Sequence, residues 1–264
     1  MDKYQAQVQA NDLRLNRLAT RPFAAYISAA FAGFFIAMGF LFSLYTRIHF
    51  GDSPFTNLIA SMTFPIGLLL VVFAGSDLFT GMVVGISFSA FQRRDSALKL
   101  LRLTVMAWVM NFVGAGIFAV ITYFSRTGGS SMDSLILKVL SGKVSLGVNE
   151  MIFRAILCNI FVCLTIWVLG GLKNEVSKIL LSLAFIAAFV YLGLEHVVAN
   201  MFIISYSFFF KAAEQVSLIG NAIAITDILR SLFFVTLGNV IGGAIFVALP
   251  YHLIWGKEFK AENK

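Results

Sequence analysis

The chain has 264 residues, 59% of them hydrophobic and only 12% charged, with a mean hydropathy of +0.88 and a formal net charge of +7. Soluble domains carry about 25% charged residues, so this composition excludes a soluble enzyme, a nucleic-acid-binding domain and a disordered chain. It points to an integral membrane protein whose basic residues serve topology. In chain order, Met1 to Thr20 holds Asp2, Lys3, Asp12, Arg14 and Arg17 around no apolar core, so it is not a secretory signal. Leu13 and Leu18 among polar neighbours predict a short amphipathic helix over 1–20, lying at the membrane surface. Uncharged runs at 22–46, 103–125, 155–172 and 231–256 each suit a spanning helix, which needs about 20 predominantly apolar residues. Cys158 and Cys163, five residues apart within one of these runs, fall on different faces, where they read as small packing residues and not as a disulfide.

Two other apolar stretches are interrupted. Residues 55–91 are too long for one simple helix and are broken at Gly75, Ser76 and Asp77, with Thr80 and Gly81 just behind. Residues 179–210 are broken at Gly193, Glu195, His196 and Asn200. Each half is expected to be too short to span alone, and each break carries a carboxylate at bilayer depth. An ionisable residue there is costly and marks a functional position, and the freed backbone is tolerated only against protein or a cavity. Each half of the chain thus reads as full span, broken span, full span. The last span of each half carries N-x-x-G, as Asn111 to Gly114 and Asn239 to Gly242, with Gly243 following. Paired broken segments indicate a transporter or channel built from repeats. Three elements per repeat is an odd number, so the second copy enters from the other side and the repeats are inverted. With the N-terminus inside, Lys3, Arg14, Arg17, Arg21, Arg93, Arg94, Lys99, Arg102, Lys173, Lys178, Lys257, Lys260 and Lys264 lie in the cytoplasm. Arg47, Arg126, Lys138, Lys143, Arg154, Lys211 and Arg230 lie opposite. This bias favours both termini in the cytoplasm.

A broken helix aims a half-helix N-terminus into the membrane, and two facing each other would make an anion site. His196 is the one histidine at bilayer depth, since His49 and His252 fall near span ends. It could donate a hydrogen bond or a proton to an anion, or simply satisfy the broken backbone. Phe64, Leu68, Leu78, Phe79 and Phe189 near the breaks either form apolar constrictions or are ordinary packing. Glycines at 33, 114, 116, 242 and 243 suit close helix approach.

Four motifs in order carry a resemblance to a known family: Ala74-Gly-Ser-Asp-Leu-Phe-Thr-Gly81, Leu157-Cys-Asn-Ile-Phe-Val-Cys-Leu164 followed by Trp167, Gly193-Leu-Glu-His-Val-Val-Ala-Asn-Met201, and Gly238-Asn-Val-Ile-Gly-Gly243. Together they resemble the formate/nitrite transporter family of pentameric anion channels, over about Arg21 to Trp255. The resemblance implies an all-α membrane protein with an aquaporin-like fold of six transmembrane spans and broken second and fifth helices. It implies a homopentamer with one pore per protomer, small monovalent anions as cargo, no cofactor, no metal and no nucleic acid. By position, His196 matches the pore histidine, Thr80 its partner loop, Asn159 the nearby asparagine and Lys143 an outer anion-attracting lysine. Leu68, Leu78 and Phe79 match the cytoplasmic constriction, and Phe64 and Phe189 the outer one. Asp77, Glu195 and Asn200 belong to the pore set, and Gly75, Gly81, Gly193, Asn111, Asn239, Gly242 and Gly243 to the breaks and packing. Val197, Val198 and Leu194 depart from the commoner residues beside the histidine. Expected boundaries are a helix at 1–20, a channel domain at 21–256 and a cytoplasmic tail at 257–264, in a bacterial inner membrane. Formate is favoured over nitrite or hydrosulfide. An intramembrane enzyme would carry Gly-x-Ser-x-Gly or His-Glu-x-x-His, and a neutral-solute pore Asn-Pro-Ala at both breaks; the chain has none of these.

Overall fold

Start signals and glycines set the helix ends. Ser53, Ser96 and Asn174 accept hydrogen bonds from the third residue beyond them, capping three helices. Gly75 and Gly193, at φ +71° and +66°, end two others in the left-handed conformation that favours glycine. The computed structural model describes residues 3–51, 53–209 and 223–262, and all of its regular structure there is helical. The helices are α1 (Lys3–Thr20), α2 (Pro22–Phe50), α3 (Pro54–Thr63), α4 (Ile66–Phe73), α5 (Phe79–Phe91) and α6 (Ala97–Phe124). They continue with α7 (Gly129–Val144), α8 (Val148–Gly170), α9 (Glu175–Tyr191), α10 (Val197–Ser207), α11 (Ile225–Gly243), a π-helical turn (Ala244–Ala248) and α12 (Leu249–Glu262). Lys211 and the end of the second interrupted stretch at Phe210 lie outside the described residues.

Helices α2, α6, α8 and α11 with its continuation to Gly256 are long and apolar enough to cross a membrane uninterrupted. The interrupted elements are α3–α4–α5 and α9–α10, an all-helical layout consistent with six spans in two repeats. One expectation is corrected: Pro54–Phe73 is 20 residues and by itself long enough to cross. Its helix starts before the apolar run, at the Ser53 cap, and carries on through Pro65 between α3 and α4. The segment ahead of Lys143, outside the apolar stretches, forms α7.

The packing repeats too. A Cβ on Gly33 would fall 1.9 Å from the Asn111 carbonyl oxygen, and one on Gly114 would fall 1.7 Å from that of Ala30, so α2 and α6 touch backbone to backbone. In the second half, a Cβ on Gly238 or Gly242 would fall 2.5 or 2.4 Å from the carbonyl oxygens of Ile152 and Ile156, so α8 and α11 meet in the same way. Such contacts need small residues. Gly116 does not serve this purpose, because its nearest neighbour would be the Ser205 hydroxyl at 3.5 Å, an ordinary contact. The half-helices cross over between halves: α10 packs on α2 and α6, and α5 on α8 and the π-helical turn. Helix α1 buries Val8, Leu15 and Leu18, at i, i+7 and i+10, against α2, α5 and α6, while Leu13 is 72% exposed. Its amphipathic face is therefore Val8-Leu15-Leu18 and is covered by protein. Spacing alone could not separate protein from lipid as the partner of that face.

Candidate functional site

Two asparagines hold the breaks. Asn111 Oδ1 accepts from the Phe79 N–H (2.8 Å), and its Nδ2 donates to the carbonyls of Ala29 (2.7 Å) and Asp77 (3.1 Å). Asn239 repeats this: Oδ1 accepts from the Val197 N–H (3.0 Å), and Nδ2 donates to Ala155 (2.8 Å) and Glu195 (2.9 Å). Both asparagines are fully buried. A buried break leaves backbone groups that must find partners, and an amide side chain with both donors and an acceptor suits that need. The first N–H of each half-helix is thus taken by the protein and is not left open for an anion. The equivalence pairs Asp77 with Glu195, Leu78 with His196 and Phe79 with Val197, so only one break places a titratable ring at its helix start.

The carboxylates are paired. Asp77, fully buried, accepts from Arg14 Nε (2.5 Å), Arg17 Nη2 (3.4 Å) and Ser28 Oγ (2.5 Å). Glu195, also buried, accepts from Lys143 Nζ (2.8 Å) and Asn200 Nδ2 (2.7 Å). Each break carboxylate therefore meets cations from a helix outside the spans, α1 in one half and α7 in the other. Asn200, expected at the break itself, lies in the first turn of α10.

His196 caps α10. Its Nδ1 accepts from the Ala199 N–H (3.2 Å), and Nε2 lies 2.9 Å from Thr80 Oγ1. A backbone N–H can only donate, so Nδ1 carries the lone pair and the proton of the neutral ring sits on Nε2. Nε2–H then donates to Thr80. The two alternatives left open for His196 are therefore compatible, since one nitrogen satisfies the break and the other faces Thr80. Asn159 Nδ2 donates to the carbonyls of Thr80 (3.3 Å) and Asn239 (2.6 Å), linking both halves. The side-chain oxygens of Asn159 and Asn200 are buried without a hydrogen-bond partner among the described residues.

Two cavities approach these residues from opposite ends. One, about 410 Å³, is lined by Arg47, Lys138, Lys143 and Arg154, by Glu195 and His196, and by Phe40, Phe64 and Phe189. Phe40, Phe64, Phe189 and His196 follow one another with ring centroids 5.7, 5.6 and 5.9 Å apart. The other, about 540 Å³, is lined by Arg14, Arg17 and Lys178 with Gly75, Leu78 and Gly81. Leu68 is buried in the core. Phe79 lines a third, lateral cavity of about 570 Å³ beside Trp108 and Thr236, between α6 and α11. Glycine 243 packs where its Cβ would meet the Cys163 sulfur at 2.6 Å, and both cysteines are free and buried.

Arg14, Arg17, Ser28, Phe40, Arg47 and Lys138 were not singled out in sequence. Arg14 and Arg17 stand in a polar helix with no marker of their target, and Phe40 is one of 28 phenylalanines. Only the pseudo-symmetry of the carboxylates could have pointed to cations for Asp77.

Known proteins place this architecture. The family model for formate/nitrite transporters matches residues 4–253. A formate channel of Bacillus thuringiensis is 34% identical over 243 residues, covering 89% of this chain and 88% of that one. The nitrite transporter NirC of Escherichia coli is 32% identical over 247 residues, covering 92% and 88%. Among solved structures, an FNT family ion channel superposes with a TM-score of 0.82 at 29% identity, covering 94% of this chain and 97% of that one. A pentameric formate channel with formate bound gives 0.74 at 26%, covering 88% and 97%. With that coverage, two asparagine-pinned breaks and a basic cavity ending on a histidine, the chain belongs to the formate/nitrite transporter family, a family of membrane channels and transporters and not of enzymes.

Proposed function

We propose that the chain conducts small monovalent anions, formate foremost, and that the cargo crosses the constriction as its neutral acid. The observation that carries this reading is the closed end of the basic cavity, where Lys143 holds Glu195 beside the His196–Thr80 pair. Four cations and one paired carboxylate around that cavity favour anion entry. The phenylalanines in its wall and Leu78 at the opposite cavity offer a bare charge nothing to replace its water. The orphan oxygens of Asn159 and Asn200 are acceptors; an anion cannot satisfy them, whereas water or a protonated acid can. The Thr80 hydroxyl, which accepts from His196 Nε2–H, then serves as donor to the other oxygen of the cargo.

On this reading residues 21–256 carry the pore, α1 and the tail at 257–264 lie in the cytoplasm of an inner membrane, and the assembly is a homopentamer with one pore per protomer. The relatives support both formate and nitrite as cargo. Proteoliposome flux of formate, nitrite and hydrosulfide across a pH series tests the proposal, with wild type and His196→Asn side by side. Asparagine keeps the cap of α10 and removes Nε2–H. Formate flux that rises with external acidity, and a variant with altered pH dependence, are the expected results. Identical pH profiles would remove His196 from the mechanism.

A further inference from the structure

Where α1 turns into α2, the elbow and the first turns of α6 enclose a separate cavity of about 270 Å³. Leu18, Ala25, Tyr26 and Met106 supply its apolar wall, and Lys99 and Arg102 its cations. Lys99 Nζ is held by Asn16 (2.8 Å) and Asp95 (2.5 Å). Arg102 is exposed and has no ion pair or side-chain hydrogen bond among the described residues. Apart from Lys99, one turn before it, its exposed neighbours on the same helix are apolar: Leu98, Leu101 and Val105 are 55%, 60% and 51% exposed. Across the cavity on α2, Phe23 and Tyr26 are 76% and 46% exposed. An unpaired cation thus stands on a face that is otherwise built for hydrocarbon, one turn inside the end of a spanning helix.

We propose that this cavity binds an anionic phospholipid, its phosphate on Arg102 with Lys99 beside it and one acyl chain along Tyr26 and Met106. The charge of the site complements the phosphate, and guanidinium forks bind phosphate oxygens in pairs. Basic pockets between spanning helices at the headgroup level are suited to anionic lipids. Free phosphate shares the charge but has no use for the apolar wall, which makes up most of the cavity, so the ligand is the lipid. Its chain would lie against Leu18 of α1, the helix that carries Arg14 and Arg17 to Asp77. The lipid therefore braces the helix that pairs the first break.

The test is native mass spectrometry of the full-length protein, released from detergent containing phosphatidylglycerol and phosphatidylcholine in equal amounts. Wild type should retain phosphatidylglycerol in excess, and Arg102→Gln, a surface change with no packed contact to lose, should cut that excess about fivefold. Inorganic phosphate added in millimolar amounts should not displace the lipid. Equal retention of the two lipids by wild type, an unchanged excess in the variant, or displacement by inorganic phosphate would each overturn the proposal. A variant that loses subunits while keeping its phosphatidylglycerol would overturn it as well, by showing that a second copy of the chain covers the cavity.

Discussion

Removing Lys143 separates the role of its charge in anion capture from its role in holding Glu195. At 2.8 Å the pair attracts with about 6 kcal/mol if the effective dielectric is about 20. Much of this offsets desolvation, and taking away one partner of a buried pair costs about 3–5 kcal/mol. Lys143 is 17% exposed and Glu195 2%, so water from the cavity reaches the freed carboxylate and the lower end, about 3 kcal/mol, is expected. Lys143→Ala should lower thermal stability in detergent by several degrees and reduce uptake at low substrate concentration. Lys143→Ala combined with Glu195→Gln leaves no uncompensated charge, while the glutamine oxygen still accepts from Asn200. The double variant should regain most of the stability and none of the low-substrate uptake. Scanning fluorimetry and proteoliposome uptake read the two effects separately. A single variant as stable as wild type with intact low-substrate uptake would refute the argument, and so would a double variant no more stable than the single.

Asn239→Ala removes three buried side-chain hydrogen bonds. Each is worth about 1 kcal/mol net, so unfolding in detergent should show about 3 kcal/mol lost, with a similar loss for Asn111→Ala because it makes the same three contacts. Asp95, in the connection between α5 and α6, gives a pH-dependent test. Partial burial pushes its carboxyl up, but hydrogen bonds from Lys99 and Ser89 and the charges of Lys99 and Arg94 outweigh this and hold it below the usual carboxylate range. A carboxyl depressed in the folded state stabilises above its unfolded pKa, and that stability fades as pH falls through its folded value. Asp95→Asn should therefore be less stable than wild type at neutral pH, with the gap closing as pH falls below the ordinary carboxylate range in a thermal-melt series.

The scarcity of charge and its bunching settled much in advance. Runs such as 22–46 and 231–256 have no stable place but a bilayer, so fold class and the positions of the uninterrupted spans were legible. Gly75 and Gly193 with a carboxylate two residues on located both breaks, because glycine and charge inside an apolar stretch have few other uses. Partners far apart in sequence were not legible. Nothing in α1 says that Arg14 reaches Asp77, 63 residues away, since its polar face suits water or headgroups equally well. The asparagines of N-x-x-G were visible, but not that each pins the break of its own repeat through three hydrogen bonds. Periodicity cannot tell a lipid-facing phenylalanine from one on the cavity wall, as Phe23 and Phe40 illustrate. Local pattern thus determined where the helices run and where they fail. Only tertiary packing, which brings α1 and α7 against the two breaks, decided how the charges exposed by that failure are neutralised and which ring faces the cavity.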